Sequence, residues 1–236
     1  MNKTDSDNRE FLNLKIIKSS RAKSPRIDVS IHGVKVVVPK GSEIDPETII
    51  EKKREWIERK VAEFEEHRRR VPEREFEEGT AWPYLGEKYL IRVNGAKKAE
   101  ITGGKIVLPE KRVKRNSFQD ELEKFYRREA REYLSGLVKE WSQKIGVKHN
   151  KIYIKNQRTK WGSCSSKGNL NFNFRLIMAP PEIGEYIVIH ELCHLIEPYH
   201  TAPFKRLLSE YCPEHTRHEE WLKENSVKLI FTREDL

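Results

Sequence analysis

Cysteine, acidic excess and long apolar runs are all scarce in this sequence, and each shortage excludes a class of protein. There are three cysteines, Cys164, Cys193 and Cys212, in 236 residues. An odd number with no pairing pattern argues against a disulfide framework and fits a reducing interior, so a cytoplasmic protein is expected. No stretch approaches the roughly 18 consecutive apolar residues of a membrane-spanning helix. The opening residues, Met1 to Asp7, lack the apolar core of a secretory signal. Basic residues outnumber acidic ones, 46 to 37, for a net charge of +9. The two signs are interspersed, which describes a solvated surface, and the positive balance keeps nucleic acid open as a partner. The length suits one large domain or two modest ones.

One stretch carries specific chemistry: Tyr186-Ile-Val-Ile-His190-Glu191-Leu-Cys-His194-Leu-Ile-Glu-Pro198-Tyr-His200. It reads H-E-x-x-H with a third histidine six residues on. Residues four apart share a helix face, so His190 and His194 can aim at one ion. Neutral imidazole is a good zinc ligand, and a catalytic zinc site takes three protein ligands plus a water. Glu191 is placed to accept a proton from a metal-activated water attacking a carbonyl, as general base. His200 is the candidate third ligand. On a straight helix it would lie about 9 Å and about 240° beyond His194, so the helix must stop and the chain must turn back. Pro198 supplies the stop, having no N–H and pushing Glu197 out of the α region. Of the eight histidines, five lie between residues 190 and 218, and the apolar Ile187-Val188-Ile189 suits a buried helix.

Along the chain, residues 1–10 are polar and expected to be disordered. Residues 11–115 read as a β-rich region with one long helix. Phe11–Ile17 alternates as a strand, and residues 26–39 form a hairpin turning at His32-Gly33. Asp45-Pro46 opens a helix to about Arg70, whose Arg68-Arg69-Arg70 reads as a solvated face. Strands follow between 79 and 109, with hairpin turns at Asn94-Gly95 and Gly103-Gly104. Residues 116–236 are the expected catalytic region. Ser117 caps the longest helix, whose apolar stripe runs from Leu122 to Ile145 and ends at Gly146. The alternating strand Asn169–Phe174 is a candidate edge strand for an extended peptide. Pro180-Pro181 opens the metal helix, expected to run to about Ile196. Two shorter helices follow, and Val227–Phe231 is a short strand or ordered tail.

Other residues compete for roles. Cys193 should face the core, about 100° from His194. Cys164 could approach the metal from its loop. Arg158 and Tyr199 are candidate oxyanion stabilisers. Glu210, Glu214 and Glu219 are the fallback third ligands, and His215 and His218 read as surface residues.

Lys160-Trp-Gly-Ser-Cys-Ser165, Asn173-Phe-Arg-Leu-Ile177, Ala179-Pro180, Tyr186 to Leu195 and Trp221-Leu222 resemble the YgjP-like metallopeptidases of the zincin group. Upstream, Ile27-Asp-Val29, Val36-Val-Val-Pro39 and Tyr84-Leu-Gly86 resemble that family's N-terminal region. The resemblance implies a zinc-dependent peptidase acting on polypeptides, with ligands matching His190, His194 and His200 and a base matching Glu191. It implies an α+β, zincin-like fold: a small antiparallel sheet on a long helix and the metal helix, preceded by a strand-and-helix region. The family more often has Asn-His-Ser where this chain has Tyr199-His200-Thr201. Glu197 replaces the glycine of metzincins. SprT-like proteases, which act on DNA-bound proteins, share the histidine spacing and supply a DNA-associated alternative. A non-peptidase zinc hydrolase and a zinc-stabilised binding module are the others.

Overall fold

The computed structural model describes residues 14–30 and 33–232. The segment 1–10 and the turn residue His32 lie outside them. The chain divides into two compact units, one up to Pro72 and the other from Glu73. The division falls well before the expected one at 115/116. The strands of residues 81–109 bury Trp82, Ile91, Ile106 and Leu108 in one core with Leu122 and Phe125 of the long helix, so they belong to the second unit.

In the first unit β1 (Lys15–Ser19), β2 (Arg26–Ser30) and β3 (Gly33–Pro39) form a sheet of order β1-β3-β2. β1 runs parallel to β3 and β2 antiparallel to it. β3 buries Val34, Val36 and Val38 on one face and Val37 on the other, where Lys35 is exposed. Helix α1 (Pro46–Lys52) starts at Asp45, whose side chain accepts from Glu47 N–H. The single helix expected to reach Arg70 is two, because Lys53 leaves helical geometry and its N–H bonds back to Ile50 O at 3.1 Å. Helix α2 (Arg54–Arg69) then packs on β2 and β3, burying Ile57.

The second unit opens with β4 (Ala81–Tyr84), β5 (Glu87–Asn94), β6 (Glu100–Thr102) and β7 (Lys105–Pro109), ordered β4-β5-β7-β6. Gly103-Gly104 turns the β6–β7 hairpin as expected. Asn94-Gly95 does not turn a hairpin: β5 pairs with β7 in parallel, and Asn94 Oδ1 instead caps Ala96 N–H at 2.8 Å. The tight turn lies at Leu85-Gly86, both with positive φ, and Leu85 N–H bonds to Ile177 O at 2.7 Å.

Helix α3 (Glu110–Arg115) leads to α4 (Phe118–Ile145). Ser117 Oγ accepts from Asp120 N–H, and Gly146 closes the helix at φ 77°. The stripe of α4 buries Leu122, Phe125, Tyr126, Ala130, Leu134 and Val138. Next come β8 (Ile152–Lys155), β9 (Gly162–Cys164) and β10 (Leu170–Asn173). The fold is α+β, but this small sheet is mixed rather than antiparallel, with β10 parallel to β8 and antiparallel to β9.

The order β8-β10-β9 places the expected edge strand in the middle. Alternation reports two faces of a strand but not who pairs at its sides, so β10 read as an edge when it is not. The edge is β9. Asn173 N–H bonds to Trp161 O and Ser165 N–H to Asn169 O, at 2.8 and 2.9 Å. Residues 161, 163 and 165 thus turn their backbone groups to β10, and Gly162 and Cys164 turn theirs outward.

A 3₁₀ turn (Phe174–Met178) leads into α5 (Pro181–Cys193), followed by α6 (Ala202–Tyr211) and α7 (His215–Asn225). The tail is not a strand. Ser226–Leu229 is a 3₁₀ turn, and Phe231 is buried against Phe76, Trp82, Tyr126 and Phe174. Among the described residues no helix is long and apolar enough to cross a membrane.

Candidate metal centre

Helix α5 is buried over most of its surface, with Ile183, Ile187, Val188, Ile189 and Leu192 all in the core. Helix α4 holds it from behind. Tyr133 Oη donates to Pro181 O at 3.2 Å, and Trp141 Nε1 donates to Glu185 at 2.9 Å. Gly184 lets the helices approach, since a Cβ there would sit 3.1 Å from the Tyr133 ring.

His190 and His194 lie on one face with ring centroids 4.9 Å apart. Regular helix ends at Cys193, three residues short of the expected Ile196. Leu195 and Ile196 N–H groups bond back only three residues, to Leu192 and Cys193, so the last turn tightens. Pro198 then falls where the ladder would need its next donor. The chain reverses, and His200 Nε2 comes to 3.0 Å from His190 Nε2. The three histidines offer ligand atoms within 4.8 Å of one another, and theirs is the only such group of three or more potential ligand residues among the described residues.

This donor set fits a metal ion. Two nitrogens each about 2.05 Å from a tetrahedral zinc are about 3.3 Å apart, close to the separation of His190 and His200. His194 Nδ1 lies 3.1 Å from Glu197 O. A carbonyl only accepts, so Nδ1 carries the proton and Nε2 keeps its lone pair. Burial, and then the neighbouring imidazoles, push His190 down to about 3, and burial lowers His194. Both rings are therefore neutral, which is the ligand form. Phe204 backs all three, with ring centroids 5.0, 4.5 and 4.9 Å from His190, His194 and His200. Thr201 caps α6 by accepting from Phe204 N–H, so the residue after His200 seats that backing ring.

Glu191 is 5% exposed and packs under β9. Burial pushes its carboxyl up to about 8, while Lys160 and the Cys164 backbone N–H pull it down. A Cβ on Gly162 would lie 2.5 Å from Glu191 Oε1, so this glycine is the space the carboxylate occupies.

Two buried side chains hold the loop before Gly162. Asn173 Nδ2 donates to Gln157 O and Lys160 O at 2.7 and 3.2 Å. Arg175 donates to Gln157 O at 2.8 Å and to Asn173 Oδ1 at 3.2 Å. Its guanidinium sits 5.2 Å from the Trp161 ring. Asn173→Ala should cost about 1–3 kcal/mol, because two loop carbonyls lose a donor and the buried Arg175 guanidinium loses the Asn173 Oδ1 acceptor. A lower urea midpoint measures it; an unchanged midpoint would mean the loop is held by other contacts.

Arg158 is exposed, and Tyr199 is 74% exposed. Cys193 faces the core, as expected. Cys164, Glu210, Glu214 and Glu219 do not join the histidine cluster. His215 bonds Ser209 Oγ at 3.0 Å, and His218 lies against Tyr186. Gly162, Phe204 and Asn173 carry weight that pattern reading did not assign. The only sequence signals of Gly162 and Asn173 were the Trp-Gly-Ser-Cys and Asn-Phe-Arg runs, and Phe204 had none.

Three converging imidazoles and a buried carboxylate lie together, on and just after one helix, an arrangement that suits a metal ion and a water beside it. Residues 23–225 match the family described as YgjP-like, metallopeptidase domain, and the chain belongs to that family. Among solved structures it is similar to the metallopeptidase zymogen abylysin of Pyrococcus abyssi. There the identity is 19% over 41% of this chain and 99% of that one, with a TM-score of 0.37. Jannalysin of Methanocaldococcus jannaschii, also a metallopeptidase zymogen, is 24% identical over 39% of this chain and 96% of that one, with a TM-score of 0.36. No curated protein matches the chain.

Proposed function

We propose that the chain is a zinc-dependent peptidase in which His190, His194 and His200 hold the ion and Glu191 is the general base. The observation that carries this reading is the meeting of three imidazoles, two held neutral by burial, next to a buried carboxylate. Bound zinc would supply Lewis acidity, polarising the scissile carbonyl and acidifying a water. Glu191 takes a proton from the attacking water at its carboxylate and returns it to the departing amine. Burial raises the proton affinity of that carboxylate, which suits it to both transfers. The outward backbone groups of Gly162 and the carbonyl of Cys164, whose N–H is given to Glu191, suit an extended polypeptide, which would add as a strand beside Glu191. Three ligands with an exposed third histidine leave a coordination position open, which favours a catalytic over a structural ion. The three cysteines are free, which supports a reducing, cytoplasmic setting.

A mixed peptide library read by mass spectrometry tests the proposal. Protein loaded with one zinc should cleave a subset of peptides, lose cleavage on chelation and regain it with zinc. A library left intact by the zinc-loaded protein would leave a non-peptidase hydrolase or a binding module.

A further inference from the structure

We infer that the β1-β3-β2 sheet of the first unit is a docking surface for double-helical nucleic acid, contacted at its phosphates. The inference is independent of the metal centre. The described residues from 14 to 42 hold seven cations, Lys15, Lys18, Arg21, Lys23, Arg26, Lys35 and Lys40, and one acid, Asp28. Elsewhere the two signs nearly balance, so the asymmetry is local. All seven cations are exposed. Asp28 is engaged by Arg26 at 3.2 Å within its own strand.

Topology gathers these charges. β1 and β3 are parallel and end together at Ser19 and Pro39, and Arg26 pairs with Val37 at the start of β2. Lys40 N–H bonds to Ser19 O at 3.0 Å. Lys18, Arg21, Lys23, Arg26 and Lys40 therefore share one end of the sheet. Strand alternation puts Lys15 and Lys35 on the same face as Arg26 and the buried Val37, and Lys18 on the face of Val34, Val36 and Val38 at the shared end. Lys15 and Lys35 lie directly opposite each other in register. Like charges so placed repel, and a polyanion laid across them removes that cost.

The partner's form follows from what the surface lacks. Among the described residues of these strands and of the β1–β2 turn there is no aromatic side chain. Single strands are held by stacking bases on aromatic rings, whereas a duplex backbone needs only spaced cations. Recognition would thus be independent of sequence.

The test is fluorescence-anisotropy binding of the full chain to a short mixed-sequence DNA duplex across a salt series. With four or five phosphates neutralised, log K should fall against log salt with a slope of roughly −4. A triple variant, Lys18→Glu, Arg21→Glu and Lys23→Glu, should weaken binding at least tenfold and flatten the slope by about 2 to 3. Lys97→Glu with Lys98→Glu, exposed and in the other unit, should leave affinity within twofold. Circular dichroism confirms that the variants fold. Equal losses per charge in both variants would overturn the inference, since binding would then follow net charge alone. So would absence of salt-dependent duplex binding, or preference for a single strand or for anionic phospholipid vesicles over the duplex.

Discussion

Glu191→Gln should keep its zinc and lose peptide cleavage by about 10²–10⁴-fold, the range for removing a general base. The amide matches the carboxylate in shape, so it fills the same space below Gly162 and leaves the three histidines untouched. What it cannot do is accept a proton from water near neutral pH. Because the native carboxyl is buried and one of its oxygens has no hydrogen-bond partner, a neutral replacement imposes no new burial penalty. The denaturation midpoint should therefore stay or rise while activity falls. Zinc stoichiometry, urea unfolding and turnover of a peptide recovered from the library separate the three effects. A variant that cleaves as fast as the parent would remove Glu191 from the proton transfers.

The sequence showed the three histidines more plainly than the surroundings that bring them together. His190 and His194 were legible because helical periodicity is local, and His200 because Pro198 advertised a reversal. Ser117 and Gly146 bounded the long helix for the same reason: caps act within a few residues. Strand partners were less legible. The Leu170–Asn173 alternation is the same for an edge and a centre strand, and its neighbours begin at Ile152 and Gly162. The parallel pairing of β5 with β7 hid behind Asn94-Gly95, a strong hairpin signal overridden by tertiary pairing. The break at Lys53 has no glycine or proline to announce it. Phe204 carried no signal, since nothing in a one-dimensional pattern says that an aromatic ring will back three imidazoles.

Gly162→Ala is the sharpest test of how β9 and α5 meet. One methyl group would sit 2.5, 2.7 and 2.9 Å from Glu191 Oε1, Cγ and Cδ, and something must move. The strand is the harder part to shift. Asn173 N–H holds Trp161 O on one side of Gly162, while Asn173 and Arg175 hold the preceding loop from below. The carboxylate is on a flexible side chain, so it should swing away by about 1 Å, and a misplacement of that size costs about 10²-fold in rate. Overpacking adds a stability loss of about 1–3 kcal/mol. Zinc should remain, because Gly162 makes no demand on the histidines. Gly136→Ala is the matched control. It lies within α4, and a Cβ there meets nothing within 4 Å. The same methyl should therefore stabilise the protein by about 0.5–1 kcal/mol through helix propensity and leave turnover alone. If Gly162→Ala turns over at the parent rate, the carboxylate is not held where β9 confines it, and the site must draw its geometry from elsewhere. If activity falls and zinc falls with it, the strand has moved rather than the side chain. A loss of rate with zinc intact, beside an active and more stable Gly136→Ala, would locate the effect at the contact between one glycine and one carboxylate.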